Sequence, residues 1–136
     1  MNMMTQLFNK TIVVDLDGVI IDQKKCKHHC DYERYPENHM ELKRMLCPVN
    51  VTSIKVIHEL RVRGLRITIH TARIEAERAV TERYLESVGC EYDELVMDKP
   101  TAILYIDDNG FRFTNWGDVL DFLLKMKILE EKCTVK

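Results

Sequence analysis

Two aspartates that follow an apolar run are the first residues in this sequence with a pattern suited to chemistry. Asp15 and Asp17 come directly after the β-branched segment TIVV and precede Gly18. Two like charges so close together need a cation, and Mg²⁺ is held in proteins through carboxylates, carbonyls and water. A second acidic pair, Asp107 and Asp108, follows another apolar run, TAILYI. The sequence therefore predicts a site for a hard divalent cation such as Mg²⁺.

Alternating strands and helices would carry these residues to a common edge. Hydrophobic patterns predict strands at 11–16, 65–71, 94–98 and 101–106, a helix that starts at Pro48 and ends at Gly64, another that ends at Gly89, and a terminal helix at 116–129. Such alternation implies βαβ units with a parallel sheet, in which ligands gather outside the carboxyl ends of the strands. Those ends carry Asp15, Asp17, Thr71, Asp107 and Asp108.

Four segments resemble, in order, the motifs of the haloacid dehalogenase superfamily. The segment DLDGVI from Asp15 is similar to its first motif, and Thr71 in ITIHTAR is similar to its Thr/Ser motif. Lys99 in DKP fits the lysine motif, and Asp107 with Asp108 in LYIDDN fits the final acidic motif. The chain resembles small bacterial and phage members in particular, including capsule-biosynthesis phosphatases.

This resemblance covers residues 11 to about 116 and implies a fold. The expected architecture is an α/β three-layer sandwich, with a parallel sheet and helices on both faces. We expect a single domain over 1–136 with a flap or loop at 23–47, because only a flap and one helix fit between the first two motifs. A large cap domain is therefore not expected. The open site that follows suits bulky substrates, or a homo-oligomer in which a neighbouring subunit covers the opening.

The resemblance also implies an activity, the hydrolysis of a phosphomonoester. Asp15 would be the nucleophile that carries an aspartyl-phosphate, and Asp17 would protonate the leaving alcohol and then deprotonate the attacking water. Thr71 would hydrogen-bond a phosphoryl oxygen, Lys99 would offset negative charge, and Arg73 would add a second phosphate or substrate contact. Aspartate at position 17 favours phosphoryl transfer over dehalogenation, because carbon–halogen cleavage needs no proton delivered to an alcohol.

The family pattern assigns Mg²⁺ to a specific set of oxygens. The ligands would be the Asp15 carboxylate, the backbone carbonyl of Asp17 and the Asp108 carboxylate. Asp107 would be either a ligand or an anchor for bound water.

An alternative from another class is a catalytically silent, metal-dependent binding or regulatory domain, which would bind Mg²⁺ without turnover. A phosphoacceptor domain like a response regulator is a third option, but the position of the aspartate pair at the first strand argues against it.

Each of these residues also has a plainer interpretation. Asp15 and Asp17 could form a solvated strand end, Thr71 could cap a helix, and Lys99 could be a surface lysine. The ordered set of four motifs favours the functional interpretation in each case. No residue identifies the leaving group, so a sugar phosphate and a nucleotide both remain candidate substrates.

Composition bounds the remaining classes of function. The chain has 136 residues, of which 46% are hydrophobic and 31% charged, as expected of one globular domain. A formal net charge of −2 gives no bulk electrostatic reason to expect nucleic acid or a membrane as partner. No apolar run approaches the ~18 residues needed to span a bilayer. We expect a cytoplasmic protein with a small-molecule substrate.

The five cysteines are not spaced as a disulfide framework, which favours reduced thiols. One segment is rich in thiol and imidazole groups, the usual ligands of zinc. The spacing CKHHC is not a standard paired-cysteine knuckle, so we assign these residues to the flap that overhangs the site rather than to a metal. The residues concerned are Cys26, His28, His29, Cys30 and His39.

Overall fold

Residues 10–25 and 44–130, which this computed structural model describes, alternate between strands and helices. The elements follow in the order β1 (Thr11–Asp15), α1 (Val51–Val62), β2 (Arg66–His70), α2 (Arg78–Ser87), β3 (Glu94–Val96) and α3 (Trp116–Lys125), with a short 3₁₀ helix at Glu75–Glu77 before α2. The strands at 11–16, 65–71 and 94–98 are thus confirmed to within two residues. No helix in these two stretches is long and apolar enough to cross a membrane.

The described strands form one parallel sheet in the order β1-β2-β3. β1 pairs with β2 in a register that places Asp15 opposite His70, and β2 pairs with β3 so that His70 lies opposite Val96. Because the strands are parallel and in register, their carboxyl ends meet at one edge of the sheet. The predicted α/β sandwich around a parallel sheet is confirmed, and the described residues contain no large cap.

The core is built around the central strand. Ile67, Thr68 and Ile69 are consecutive and all buried, and successive side chains of a strand point to opposite faces. Both faces of β2 are therefore covered. Helix α1 buries Val56, Ile57 and Leu60 in the same core cluster, and burial of such aliphatic side chains is the main source of stability in a fold of this size.

Side-chain caps set where two helices begin. The Asn50 carboxamide oxygen accepts from the Thr52 backbone N–H at 3.1 Å, so α1 begins at Val51 and not at Pro48 as predicted. The Asn115 carboxamide oxygen caps α3 in the same way, accepting from the Asp118 N–H at 2.9 Å. A capping side chain satisfies a backbone donor that has no partner within the helix.

Helix ends were predicted correctly where glycine marks them. Gly64 and Gly89 have positive φ angles of 92° and 73°, a conformation that glycine adopts without steric penalty and that ends a helix. The terminal helix α3 instead ends at Lys125, short of the predicted 129, because the chain turns into a left-handed residue at Lys127 (φ 59°).

The predicted strand at 101–106 is wrong. These residues are exposed, with Ile103 and Ile106 essentially fully so, and they pair with no described strand. The Tyr105 hydroxyl donates to the carbonyl of Pro100, five residues earlier. An extended chain rises about 3.3 Å per residue, which would carry Tyr105 too far from Pro100 for this contact. Local folding of the segment on itself therefore replaces strand pairing.

Most of the predicted flap at 23–47 lies outside the described residues, and so do the candidate zinc ligands at 26–39. The described flanks of that segment are anchored to the rest of the fold. The Asp22 backbone N–H donates to the Pro48 carbonyl at 2.9 Å, and the Asn50 N–H donates to the Ile20 carbonyl at 2.7 Å. The chain therefore leaves and re-enters the described fold at adjacent points.

One buried hydroxyl connects α1 and α3 to the turn after β1. Ser53 on α1 accepts from the Trp116 indole N–H of α3 at 2.6 Å and donates to the Val19 carbonyl at 2.7 Å. Both partners, the Trp116 indole N–H and the Val19 carbonyl, are polar groups of residues in or against the hydrophobic core. The Ser53 side chain therefore fixes α3 and the turn relative to α1.

Substitution Ser53→Ala should lower the free energy of unfolding by about 1–3 kcal/mol, because it leaves a buried donor and an acceptor without partners. Urea denaturation followed by circular dichroism measures this change. Ser87→Ala is the matched control, since this residue is exposed and its hydroxyl donates to the Tyr84 carbonyl within the same helix, α2. Equal effects of the two substitutions would contradict the role given to Ser53.

Candidate active site at the carboxyl ends of the strands

A tight turn fixes the aspartate pair that follows β1. The Leu16 carbonyl accepts from the backbone N–H groups of Ile20 and Ile21 at 3.0 and 2.9 Å, and the Gly18 N–H donates back to Ile21 at 2.9 Å. Gly18 has a φ of 93°, which only glycine adopts readily. Leu16, Ile20 and Ile21 are fully buried. The apolar side chains thus anchor the turn and leave Asp15 and Asp17 at its partly exposed side.

The Asp15 carboxyl group is partly withdrawn from water. Burial raises its pKa above the usual range, and the nearby Asp17 carboxylate acts in the same direction. The Lys99 ammonium, a hydrogen bond from the Leu16 N–H and the His70 ring oppose that rise without cancelling it. One Asp15 oxygen accepts from Leu16 at 2.9 Å. A carboxylate in this environment is stabilised by any further cation that reaches it.

Backbone hydrogen bonds beyond the strand ends place Thr71 and Lys99 side by side. The Thr71 N–H donates to the Val96 carbonyl at 3.0 Å, and the Lys99 N–H donates to the Thr71 carbonyl at 2.8 Å. The Thr71 side chain is fully buried. Its hydroxyl oxygen accepts from the Arg73 N–H at 3.2 Å, and within the described residues its hydroxyl hydrogen has no acceptor. Thr71 can therefore donate a hydrogen bond to a ligand.

Arg73 contacts Asp17 directly. Its Nε donates to one Asp17 oxygen at 3.2 Å and its Nη2 donates to the other at 3.1 Å. The third nitrogen, Nη1, donates to the Thr81 hydroxyl on α2 at 3.2 Å. The resemblance implied that Arg73 contacts a phosphate or the substrate. In this structure its guanidinium is instead paired with Asp17. No spacing pattern could reveal this pair, because its members are 56 positions apart.

An aromatic residue that sequence reasoning missed lies against the lysine. The Lys99 Nζ atom is 4.5 Å from the centroid of the Tyr105 ring. A cation over an aromatic face is attracted by the ring quadrupole. The preceding residue, Asp98, has a positive φ of 60°, and its N–H donates to the Arg73 carbonyl at 2.9 Å. This bond holds the segment after β3 against the segment after β2.

The second acidic pair is not drawn into this group. Asp107 and Asp108 lie on the exposed segment after position 100, where an Asp107 oxygen accepts from the Asn109 N–H at 2.8 Å. In the stretches that the structure describes, no three His, Cys, Asp or Glu side chains converge to hold a metal. The structure thus brings together Asp15, Asp17, Thr71, Arg73 and Lys99, and the roles of Asp107 and Asp108 stay predictions.

The oxygen atoms around Asp15 nevertheless fit Mg²⁺. This ion is usually held by one or two carboxylates, with water and substrate phosphate completing its shell. The Asp15 carboxylate is partly desolvated. The turn also leaves the Asp17 carbonyl without a donor among the described residues. A backbone carbonyl without a hydrogen bond beside a carboxylate is a suitable pair of hard ligands for this cation.

The described cysteines do not contribute to this chemistry. Cys47 and Cys90 are buried and form no disulfide within the described residues. Burial raises the pKa of Cys90 to about 12, which keeps it protonated and unreactive at neutral pH.

Comparison with known proteins supports the fold. No protein-family model and no curated protein matches this chain. A crystal structure of a target protein from Vibrio cholerae aligns with a TM-score of 0.56 and 19% identity, covering 86% of this chain and 98% of that one. A structure of a Pnkp1/Rnl/Hen1 complex aligns with a TM-score of 0.49 and 23% identity, covering 88% of this chain and 35% of the other. The chain therefore shares its fold with the Vibrio cholerae protein, and this similarity establishes nothing beyond the fold.

The two aspartates should have opposite effects on stability. A carboxyl group whose folded-state pKa is raised destabilises the fold when it is charged, and this effect vanishes as pH falls below the unfolded value of 3.8. Asp15→Asn should therefore raise the melting temperature at pH 7 in EDTA, with a gain that shrinks towards pH 4. Asp17→Asn should lower it, because Arg73 loses its charged partner. Thermal unfolding by circular dichroism at both pH values measures the effects, and a destabilised Asp15→Asn variant would contradict this account of the site.

Proposed function

We propose that this chain is a Mg²⁺-dependent phosphatase of the haloacid dehalogenase type, which hydrolyses a phosphomonoester through an aspartyl-phosphate on Asp15. One observation carries the proposal. At the carboxyl ends of parallel strands, a partly desolvated Asp15 lies within the electrostatic influence of the Lys99 ammonium, next to Asp17 and to the donor hydroxyl at Thr71. These are the groups that transfer of a phosphoryl group to a carboxylate requires.

The first half of the reaction forms a bond from an Asp15 oxygen to phosphorus. The bond from phosphorus to the ester oxygen breaks, and Asp17 supplies a proton to the departing alcohol. In the second half, water attacks the phosphorus of the acyl phosphate and gives a proton to Asp17. Phosphate then leaves and Asp15 is regenerated. The covalent intermediate divides one difficult displacement into two easier ones.

The other residues lower the barrier by charge and position. Lys99 offsets the repulsion between the anionic substrate and the Asp15 carboxylate, and Thr71 donates to a phosphoryl oxygen. Mg²⁺, when bound, would supply further positive charge that offsets this repulsion. Asp15 and the Asp17 carbonyl would hold it, with Asp108 and Asp107 as proposed further ligands.

The proposed substrate is a small phosphomonoester such as a sugar phosphate or a nucleotide, and the proposed compartment is the cytoplasm. A homo-oligomer would cover the open side of the site. Neither nucleic acid nor a membrane is a proposed partner.

A second candidate is a catalytically silent domain that binds Mg²⁺ and a phosphorylated ligand. The exposed position of Asp107 and Asp108, away from the Asp15 group, favours it. This candidate predicts stabilisation by Mg²⁺ without release of phosphate from any phosphomonoester. Turnover therefore separates the two candidates.

Wild-type protein should release phosphate from an aryl phosphate in Mg²⁺ and lose this activity in EDTA. Asp15→Asn should reduce kcat by at least about 10³-fold, because the nucleophile is lost. Glu86→Gln, which removes an exposed carboxylate on α2, is the matched control and should leave the rate unchanged. Wild-type turnover by Asp15→Asn would exclude this aspartate as the nucleophile.

The phosphoenzyme itself should be detectable. Wild-type protein mixed with substrate and quenched in acid should gain the mass of one phosphoryl group on the peptide that contains Asp15. Asp17→Asn should accumulate more of this species from an aryl phosphate, because water attack then lacks its base. Intact-protein and peptide mass spectrometry measure both. Phosphate on a different residue would contradict the proposed intermediate.

A further inference from the structure

We propose that Arg73 is a positioning residue, which orients the Asp17 carboxylate for proton transfer and does not bind the substrate phosphate. This inference rests on the proposed phosphatase function and assigns a role within it. Arg73 and Asp17 are 56 positions apart in the chain, and two hydrogen bonds of 3.1 and 3.2 Å engage both oxygens of the carboxylate.

The geometry of the pair restricts the orientation of Asp17. A guanidinium that donates through two nitrogens to both oxygens of a carboxylate fixes its plane as well as its position. A single hydrogen bond would leave the carboxylate free to rotate. The Asp17 side chain is 26% exposed and that of Arg73 only 2%. The Asp17 carboxylate is therefore accessible from the site, whereas the Arg73 guanidinium that holds it is buried.

The guanidinium is anchored at its other end. Its Nη1 donates to Thr81, a fully buried residue of α2, at 3.2 Å. The backbone of Arg73 is fixed too, because its N–H donates to the Thr71 hydroxyl and its carbonyl accepts from the Asp98 N–H. Arg73 thus connects α2, the end of β2 and the turn after β3 to Asp17. Supporting contacts of this kind hold a reacting group in its productive geometry.

The same facts argue against a substrate contact. All three guanidinium nitrogens of Arg73 already donate to protein acceptors, and the side chain has almost no surface exposed to a ligand. A phosphate could reach it only by displacing Asp17, the group on which proton transfer depends. Lys99, which is half-buried, remains the cation available to the phosphoryl group.

A series of substrates with different leaving groups tests this role. Alkyl phosphates need a proton on the departing oxygen, whereas nitrophenyl phosphates release a stable phenolate without one. The kcat/KM value reports the steps up to alcohol release, so it isolates the first use of Asp17. Arg73→Met should lower kcat/KM by on the order of 10²-fold or more for alkyl phosphates and much less for nitrophenyl phosphates. Competitive inhibition by inorganic phosphate should be unchanged.

Three further variants complete the experiment. Arg73→Lys should restore part of the alkyl phosphate activity, since it keeps one charged donor. Thr81→Val should show the same leaving-group dependence as Arg73→Met but more weakly, because it removes only the anchor, and it supplies the comparison if Arg73→Met does not fold. Arg61→Met is the matched control. It removes an arginine that donates twice to Asp93 at the opposite end of the sheet, and it should not change the leaving-group dependence.

The outcomes separate this inference from the function on which it rests. Wild-type protein without phosphatase activity would overturn the proposed function and the role of Arg73 with it. An active wild type whose Arg73 variants lose the same factor for every leaving group, with weaker inhibition by inorganic phosphate, would make Arg73 a phosphate ligand and overturn this inference alone.

Discussion

Parallel hydrogen bonding between β1 and β2 is the constraint on which the rest of the site depends. The register that sets Asp15 opposite His70 brings the end of β1 level with the end of β2. The bonds from Thr71 to Val96 and from Lys99 to Thr71 extend the same alignment past the last strand residues. Residues separated by long stretches of chain therefore meet at one edge, independently of the conformation of the loops between them.

This alignment gives each of the two aspartates a different cation. Asp17 is held by the buried guanidinium of Arg73, while Asp15 lies in the field of the Lys99 ammonium. Two carboxylates two residues apart repel each other unless their charges are compensated separately. The pKa of Asp15 stays raised, because burial outweighs the opposing charge of Lys99, and a further cation would stabilise its charged form. Asp17 by contrast accepts a hydrogen bond from Arg73 at each oxygen, which fixes the direction of its carboxylate.

Features that depend on neighbouring residues could be predicted from the sequence, whereas features that depend on distant ones could not. The end of β1, predicted at 16 and found at Asp15, and the helix ends marked by Gly64 and Gly89 follow from local patterns of burial and backbone conformation. The strand predicted at 101–106 had suitable β-branched residues but no partner strand in the described fold, and strand propensity without a partner does not make a strand. The pairing of Arg73 with Asp17 arises only when the sheet and α2 have assembled.

The buried residues of the site, Thr71 and Arg73, and its outer acidic pair, Asp107 and Asp108, are held in place by different contacts. Thr71 and Arg73 are buried and tied to the backbone on both sides, whereas Asp107 and Asp108 are exposed and held by a local turn. Segments with few buried contacts open at low free energy. The part that would contact a phosphoryl group is thus organised in advance, whereas a contribution from the outer acidic pair would require its exposed segment to move towards Asp15. The free energy of that movement would subtract from the binding of a cation, so a Mg²⁺ site that included the outer pair would be weaker than one with every carboxylate already in place.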